Sequence, residues 1–308
     1  MMGLVSCYSE LAIQISETTS CSNYKHVSNS VAPRLVPSTQ TAVTNLYKTT
    51  LCSGAEHVIS VTWVRSAATQ GLQINSGDDP TTAFRLNTNS RLFRKKRGNK
   101  AFEINSTKYE VFYDLSGAIY GSGAEPVEGY YVLIMVDSEL GLYLGDMSAV
   151  KKVKPGSHLA SFSLISRKEH FSGNTLYATR AQFSDVGNCH DVLIQCTGEN
   201  DGSKSPTLSV CIDKRVVIRV KRLQWNFRGN QTIFVDGLSV DLMWDVHDWF
   251  FNSGSGSGNG AGSGYGSGQA VFLFRTRNGL DSRLWLEEKV KKKDDKKEFS
   301  LLIYANKS

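Results

Sequence analysis

The chain has 308 residues, 40% of them hydrophobic, with 14 Phe, 12 Tyr and 5 Trp, which supports folded cores and excludes disorder along its whole length. A formal net charge of +6 permits an anionic partner without requiring one. No stretch approaches the roughly 20 apolar residues of a membrane-spanning helix; even YYVLIMV at 130–136 is stopped by Asp137.

Residues 1–41 are rich in Ser and Thr, carry few charges and show no sustained periodicity, so they are expected to form a disordered leader. The start has no charged n-region, which argues against a secretory signal. Cys7 stands where the myristoylation pattern asks for Ser or Thr. The expected compartment is cytoplasmic or nuclear, with organelle import left open by the acid-poor leader. From Ala42 a series of short strand patterns runs TNLYKTTLC, HVISVTWV, GLQIN, AFRLN, a hairpin at 97–114, YYVLIMVD and LGLYLGD. Residues 151–172 read as a less regular connection. A second series follows: LYATRAQF, HDVLIQC, TLSVCID, RVVIRVKRL, a hairpin at 228–245, AVFLFRT and FSLLIYA. Convincing helical periodicity occurs only around 284–293.

The two hairpin segments overlay without a gap at an offset of 131, RGNKAFEINSTKYEVFYD on RGNQTIFVDGLSVDLMWD. Asn105-Ser106 and Asp236-Gly237 sit where a two-residue turn demands positive φ. Tyr109, Val111 and Tyr113 then share one strand face, as do Val240, Leu242 and Trp244. Phe112 and Met243 between them are also apolar, which places both strands in sheet centres. The shared Arg-Gly-Asn reads as a turn between strands. His57 and His190 open a second pair of matching strands at an offset of 133.

The expected fold is all-β, with two related antiparallel β-sandwich or barrel-like lobes from an internal duplication. The first would span 42–150 and the second 151–308, with a Gly/Ser-rich loop at 252–269 inside the second. Six cysteines without metal-binding spacing argue for reduced thiols.

With WVRSAATQGLQI, RKKRGNKAFEINSTKYEVFYDL, EPVEGYYVLIMVD, SRKEH, KRLQWNFRGNQTIFVDGLSVDLMWDVHDWFF and AVFLFR in view, the chain resembles the plant domain-of-unknown-function 868 family over about 42–277. The resemblance implies no activity and transfers no catalytic or binding residue.

Cations gather before each hairpin: Arg91, Arg94, Lys95, Lys96 and Arg97 in the first series, and Arg215, Arg219, Lys221, Arg222 and Arg228 in the second. In RVVIRVK, Val216, Ile218 and Val220 would face inward and Arg219 and Lys221 outward. With Phe93, Trp225 and Phe227 among them, Arg94, Lys95, Lys96, Arg97, Arg219, Lys221, Arg222 and Arg228 are candidate contacts to nucleic acid or anionic lipid. Edge-protecting charges on a solvated face are the bland alternative.

Asp245, His247 and Asp248 are the nearest approach to an acid-base or metal cluster, with Asp245 and His247 on one strand face. A structural role for Asp245 where the strand ends competes with that reading. His57, His170 and His190 read as unaccompanied. The chain is therefore expected to be a non-enzymatic binding or scaffold protein with no cofactor and no metal, whose partner is a protein, an anionic polymer or a lipid. A carrier of a small apolar ligand and an enzyme centred on Asp245 and His247 are the alternatives.

Overall fold

The structure is a computed structural model, which describes residues 13–14, 37–67, 69–77, 84–87, 96–146, 148, 158–173, 176–185, 187–197, 205–251, 268–277 and 298–306. The strands in the first half of the chain are β1 (Ile13–Gln14), β2 (Thr39–Thr50), β3 (Glu56–Arg65), β4 (Gln70–Ser76), β5 (Phe84–Asn87), β6 (Arg97–Ile104), β7 (Thr107–Asp114), β8 (Ile119–Tyr120), β9 (Pro126–Glu128), β10 (Tyr131–Val136) and β11 (Glu139–Gly145). Then come β12 (Ser161–Ser172), β13 (Leu176–Gln182), β14 (Cys189–Thr197), β15 (Thr207–Ile212), β16 (Arg215–Val220), β17 (Arg228–Val235), β18 (Leu238–Asp245), a one-turn helix α1 (His247–Phe251), β19 (Gln269–Thr276) and β20 (Ser300–Asn306). The fold is all-β and antiparallel, as the composition of short alternating runs requires. The helical pattern at 284–293 and the Gly/Ser tract up to residue 267 lie outside the described residues.

Contacts divide the chain into two compact units, which we call A (39–171 with 275–304) and B (172–274 with 305–308 and the described residues up to Ser38). The divisions fall at 171/172 and 274/275 rather than at 150/151.

Unit A carries strand orders β20-β12-β2-β3-β4-β5 and β11-β10-β7-β6, with the small pair β8-β9. Its core joins both orders, because Val43, Ile59, Val61, Trp63, Leu72 and Ile74 pack in one cluster with Val111, Val132, Ile134 and Leu142. Edge contacts of Phe84 with Tyr113 at 5.4 Å and Trp63 with Tyr130 at 5.7 Å tie the layers together. In β10 the alternate residues Leu133 and Met135 form a second small cluster with Leu140 on the other face, and Phe112 of β7 packs against it. Strand β7 lies between β6 and β10, so its double-sided apolar pattern does mark a sheet interior.

Unit B carries β1-β16-β15-β14-β13 and β17-β18-β19. Tyr177 of β13 meets Trp249 of α1 at 6.2 Å and Phe272 of β19 at 6.3 Å, while Phe183 meets Phe274 at 6.2 Å. A sandwich results, with Val192, Ile194, Val210 and Ile218 of one sheet and Val240, Leu242, Phe272 and Phe274 of the other each at most 1% exposed.

Both hairpins form in the expected register. Arg97 lies opposite Asp114 and Ile104 opposite Thr107; Arg228 lies opposite Asp245 and Val235 opposite Leu238. Their turn residues have φ of 49° and 64° at Asn105 and Ser106, and 49° and 74° at Asp236 and Gly237. The likeness extends past the strands, since Leu115 N donates to Lys96 O and Val246 N to Phe227 O, each at 2.8 Å.

Arg-Gly-Asn proves to be the opening of a strand, not a turn. Gly98 faces Tyr113 and Gly229 faces Trp244 across the ladder. A Cβ on Gly229 would lie 2.6 Å from Trp244 Cη2, so the glycine lets the indole lie flat across the partner strand.

The segment 151–172 is not simply a connection, because Ser161–Ser172 is a 12-residue strand. Its inward row contains Ser163 and Glu169, both buried, so polar residues broke the apolar alternation that would have announced it. In the leader, Ile13 and Gln14 pair with Val220 and Arg219 at the edge of β16.

Candidate functional site

The outward alternation of β16 brings its cations together as expected. Val216, Ile218 and Val220 are 3%, 0% and 0% exposed, which turns Arg219 and then Lys221 out of the same sheet. Across the strands Gln195, Ser209 and Arg219 form one row, and Thr197 lies opposite Thr207 in the next, their hydroxyls 2.6 Å apart. These rows line an open depression of about 530 Å³ together with Ser205, Lys221 and Arg222. Three cations and four hydroxyl side chains thus converge, and among the described residues no carboxylate lines the depression.

The turn after β16 fixes the rim. Leu223 is fully buried and its N–H donates to Pro206 O at 2.9 Å, while Trp225 N and Asn226 N donate to Arg222 O at 2.9 and 3.1 Å. Arg222 holds φ of +53°, a left-handed conformation uncommon for a non-glycine residue. Trp225, three residues on, is 77% exposed. The hydroxyl of Ser205 is buried and has no hydrogen-bond partner among the described residues.

Of the remaining cationic candidates, Lys96, Arg97 and Arg228 do not line the depression. Arg94 and Lys95, like Arg91 and Phe93, lie outside the described residues, and Lys96 is exposed before β6. Arg97 and Arg228 are cross-strand partners of Asp114 and Asp245, at 3.5 and 2.8 Å. Arg228 also sits 5.6 Å from the centre of the Phe227 ring.

Asp245 ends β18 and His247 opens α1, so the two do not share a strand face. Asp245 instead accepts from His247 N at 3.0 Å and from Arg228 Nε at 2.8 Å. Its carboxyl is held below the ordinary carboxylate range: partial burial would raise it, but these donors outweigh that effect. Asp114 does the same work in unit A by accepting from Ser116 N at 2.9 Å. The imidazole of His247 bonds to Asp248 through Nδ1 at 2.9 Å. Among the described residues no group of three or more His, Cys, Asp or Glu is arranged to hold a metal ion.

Residues 38–307 match the family described as plant protein of unknown function, DUF868. The chain belongs to the DUF868 family. The match takes in both units and both hairpins. No curated protein and no solved structure matches the chain. Among the described residues no helix is long and apolar enough to cross a membrane.

Two polar clusters of this DUF868 chain escaped the reading of single histidines and charges. His190, 7% exposed, is far from unaccompanied. Its Nδ1 lies 2.6 Å from Asp213 Oδ2 and its Nε2 2.9 Å from Asp236 Oδ2. The two aspartates head the β15–β16 and β17–β18 turns, so one ring ties two hairpin tips. In unit A, Arg167 of β12 reaches Glu169, Glu125 at 2.6 Å and Asn45 at 3.1 Å, while Gln40 donates to Glu169 at 2.9 Å and accepts from Ala124 N at 3.0 Å. Burial, with Glu125 close by, pushes the nearby Tyr130 phenol up to about 12. SRKEH is where this network shows in the sequence, but its partners lie at distant positions 40, 45 and 125.

Cys211 in β15 is disulfide-bonded, against the expectation of reduced thiols throughout, and Cys52, Cys189 and Cys196 are free.

Proposed function

We propose that this DUF868 protein is a non-enzymatic binding protein that holds a polyanion against the outer face of β14–β16. The observation that carries this reading is the convergence of Arg219, Lys221 and Arg222 with Thr197, Ser205, Thr207 and Ser209 in a depression that, among the described residues, no carboxylate lines. Guanidinium and ammonium groups neutralise phosphate or sulfate oxygens while hydroxyls complete their hydrogen bonding. Among the described residues no ion pair engages these three cations. Arg97 and Arg228, each beside an aspartate, have less charge to offer.

Heparin and single-stranded RNA, titrated at rising ionic strength, test the proposal. The wild-type chain should bind with salt-sensitive affinity. Replacing Arg219, Lys221 and Arg222 by Ala should flatten the salt dependence by about 0.7–0.9 in logarithmic slope for each phosphate that is no longer neutralised. Arg97→Ala should leave binding nearly unchanged. If RNA, DNA, heparin and anionic vesicles are all ignored at low salt, the reading is wrong.

A further inference from the structure

Resting on that anion-binding reading, we infer that the anion is a phosphate-bearing lipid headgroup at a membrane surface, with Trp225 as the interfacial anchor. The depression is open, and its volume of about 530 Å³ is that of a site for one small ligand. A single-stranded nucleic acid is held by aromatic platforms laid along a positive groove. Here the lining rows are Gln, Ser and Thr with cations at one end, and among the described residues no aromatic lines them. The exposed aromatic lies in the turn that follows β16. Trp225 projects from the same turn as Arg222, so one rigid turn presents a cation and, one helical step away, an indole that is 77% exposed.

That arrangement matches the layering of a bilayer surface. Phosphates sit at the level where Arg219, Lys221 and Arg222 can reach them, and a Trp ring is favoured at the boundary between headgroups and acyl chains. Each basic residue near an anionic leaflet adds to the attraction. The Ser205 hydroxyl, which has no hydrogen-bond partner among the described residues, belongs to the same depression.

The test uses the full chain with phosphatidylcholine vesicles, alone and doped with a phosphatidylinositol phosphate, with the matching soluble inositol phosphate, and with single-stranded RNA. Binding is expected to the doped vesicles and not to phosphatidylcholine alone, with a blue shift of tryptophan emission that Trp225→Phe removes. Trp225→Ala should weaken vesicle binding by about tenfold and leave the soluble headgroup affinity unchanged. Arg219→Glu with Lys221→Glu should abolish both. RNA binding without vesicle binding, soluble-phosphate binding alone, or vesicle binding indifferent to Trp225→Ala would overturn the inference while sparing the anion-binding reading. Failure of every anion to bind would remove both.

Discussion

At the scale of single residues, His190 sets a pH dependence. Burial alone would lower its pKa, but Asp213 and Asp236 on either side of the ring outweigh that and raise it above the ordinary 6.5. The imidazolium therefore stabilises the folded state fully below about pH 6.5, and that contribution is lost as pH rises through the raised value. The two aspartates, both lowered from 3.8, act in the opposite direction and weaken the fold only as pH falls through their depressed values. Thermal unfolding from pH 5 to 9 should show stability declining above about 6.5 in the wild type. His190→Gln should lose that decline, and an equal decline in the variant would discard the assignment. Gly229 is the other residue-scale constraint. Gly229→Ala places a methyl inside the Trp244 ring and should cost about 1–3 kcal/mol in urea unfolding. Gly98→Ala should cost less, because its contact is 3.2 Å from the movable Tyr113 hydroxyl end.

At the scale of elements, hairpin and strand differ in how openly their sequences speak. Asp236-Gly237 and Asn105-Ser106 announced their turns because only a few residues tolerate two successive positive φ angles. Ser106, with a Cβ at φ of 64°, is the less comfortable of the two second positions. Ser106→Gly should raise the stability of unit A by about 1 kcal/mol, read from denaturant midpoints, and a decrease would show that its side chain matters more than its backbone. Strand β12 was silent for the converse reason. Its inward row places Arg167 and Glu169 where a hydrophobe would have signalled burial, and their partners come from β2 and from Glu125, far along the chain. Arg167→Ala strands the fully buried Glu169 and should destabilise unit A by about 3–5 kcal/mol, whereas Lys168→Ala, on the exposed face, should change little. Equal effects of the two substitutions in thermal unfolding would deny the network its role.

At the scale of the molecule, each unit draws on separated stretches of chain. A protein cut at 150/151 would leave its N-terminal fragment without β12 and β20, and so without Phe171, Leu301 and Ile303, each at most 1% exposed. Fragments 38–150 and 151–308, made separately, should fail to show cooperative unfolding by circular dichroism and should recover it when refolded together. The two units share a strand succession of a four-strand meander followed by a positive-φ hairpin, and the hairpins agree in register, turn and closing bonds. They differ in that β12, all but its last residue, and most of β20 fall in unit A. Local chemistry was enough to read most strand positions, both hairpin registers and the outward face of β16, because side-chain alternation and turn sterics act between neighbours in the chain. The grouping of β12 and β20 with the first lobe, the clamp on His190, the buried Arg167 network and the gathering of Arg219, Lys221 and Arg222 around the hydroxyls of β14 and β15 depend on residues up to 134 positions apart or more. No local pattern encodes such pairings; they arise when sheets choose their neighbours and bury polar groups that must then find one another.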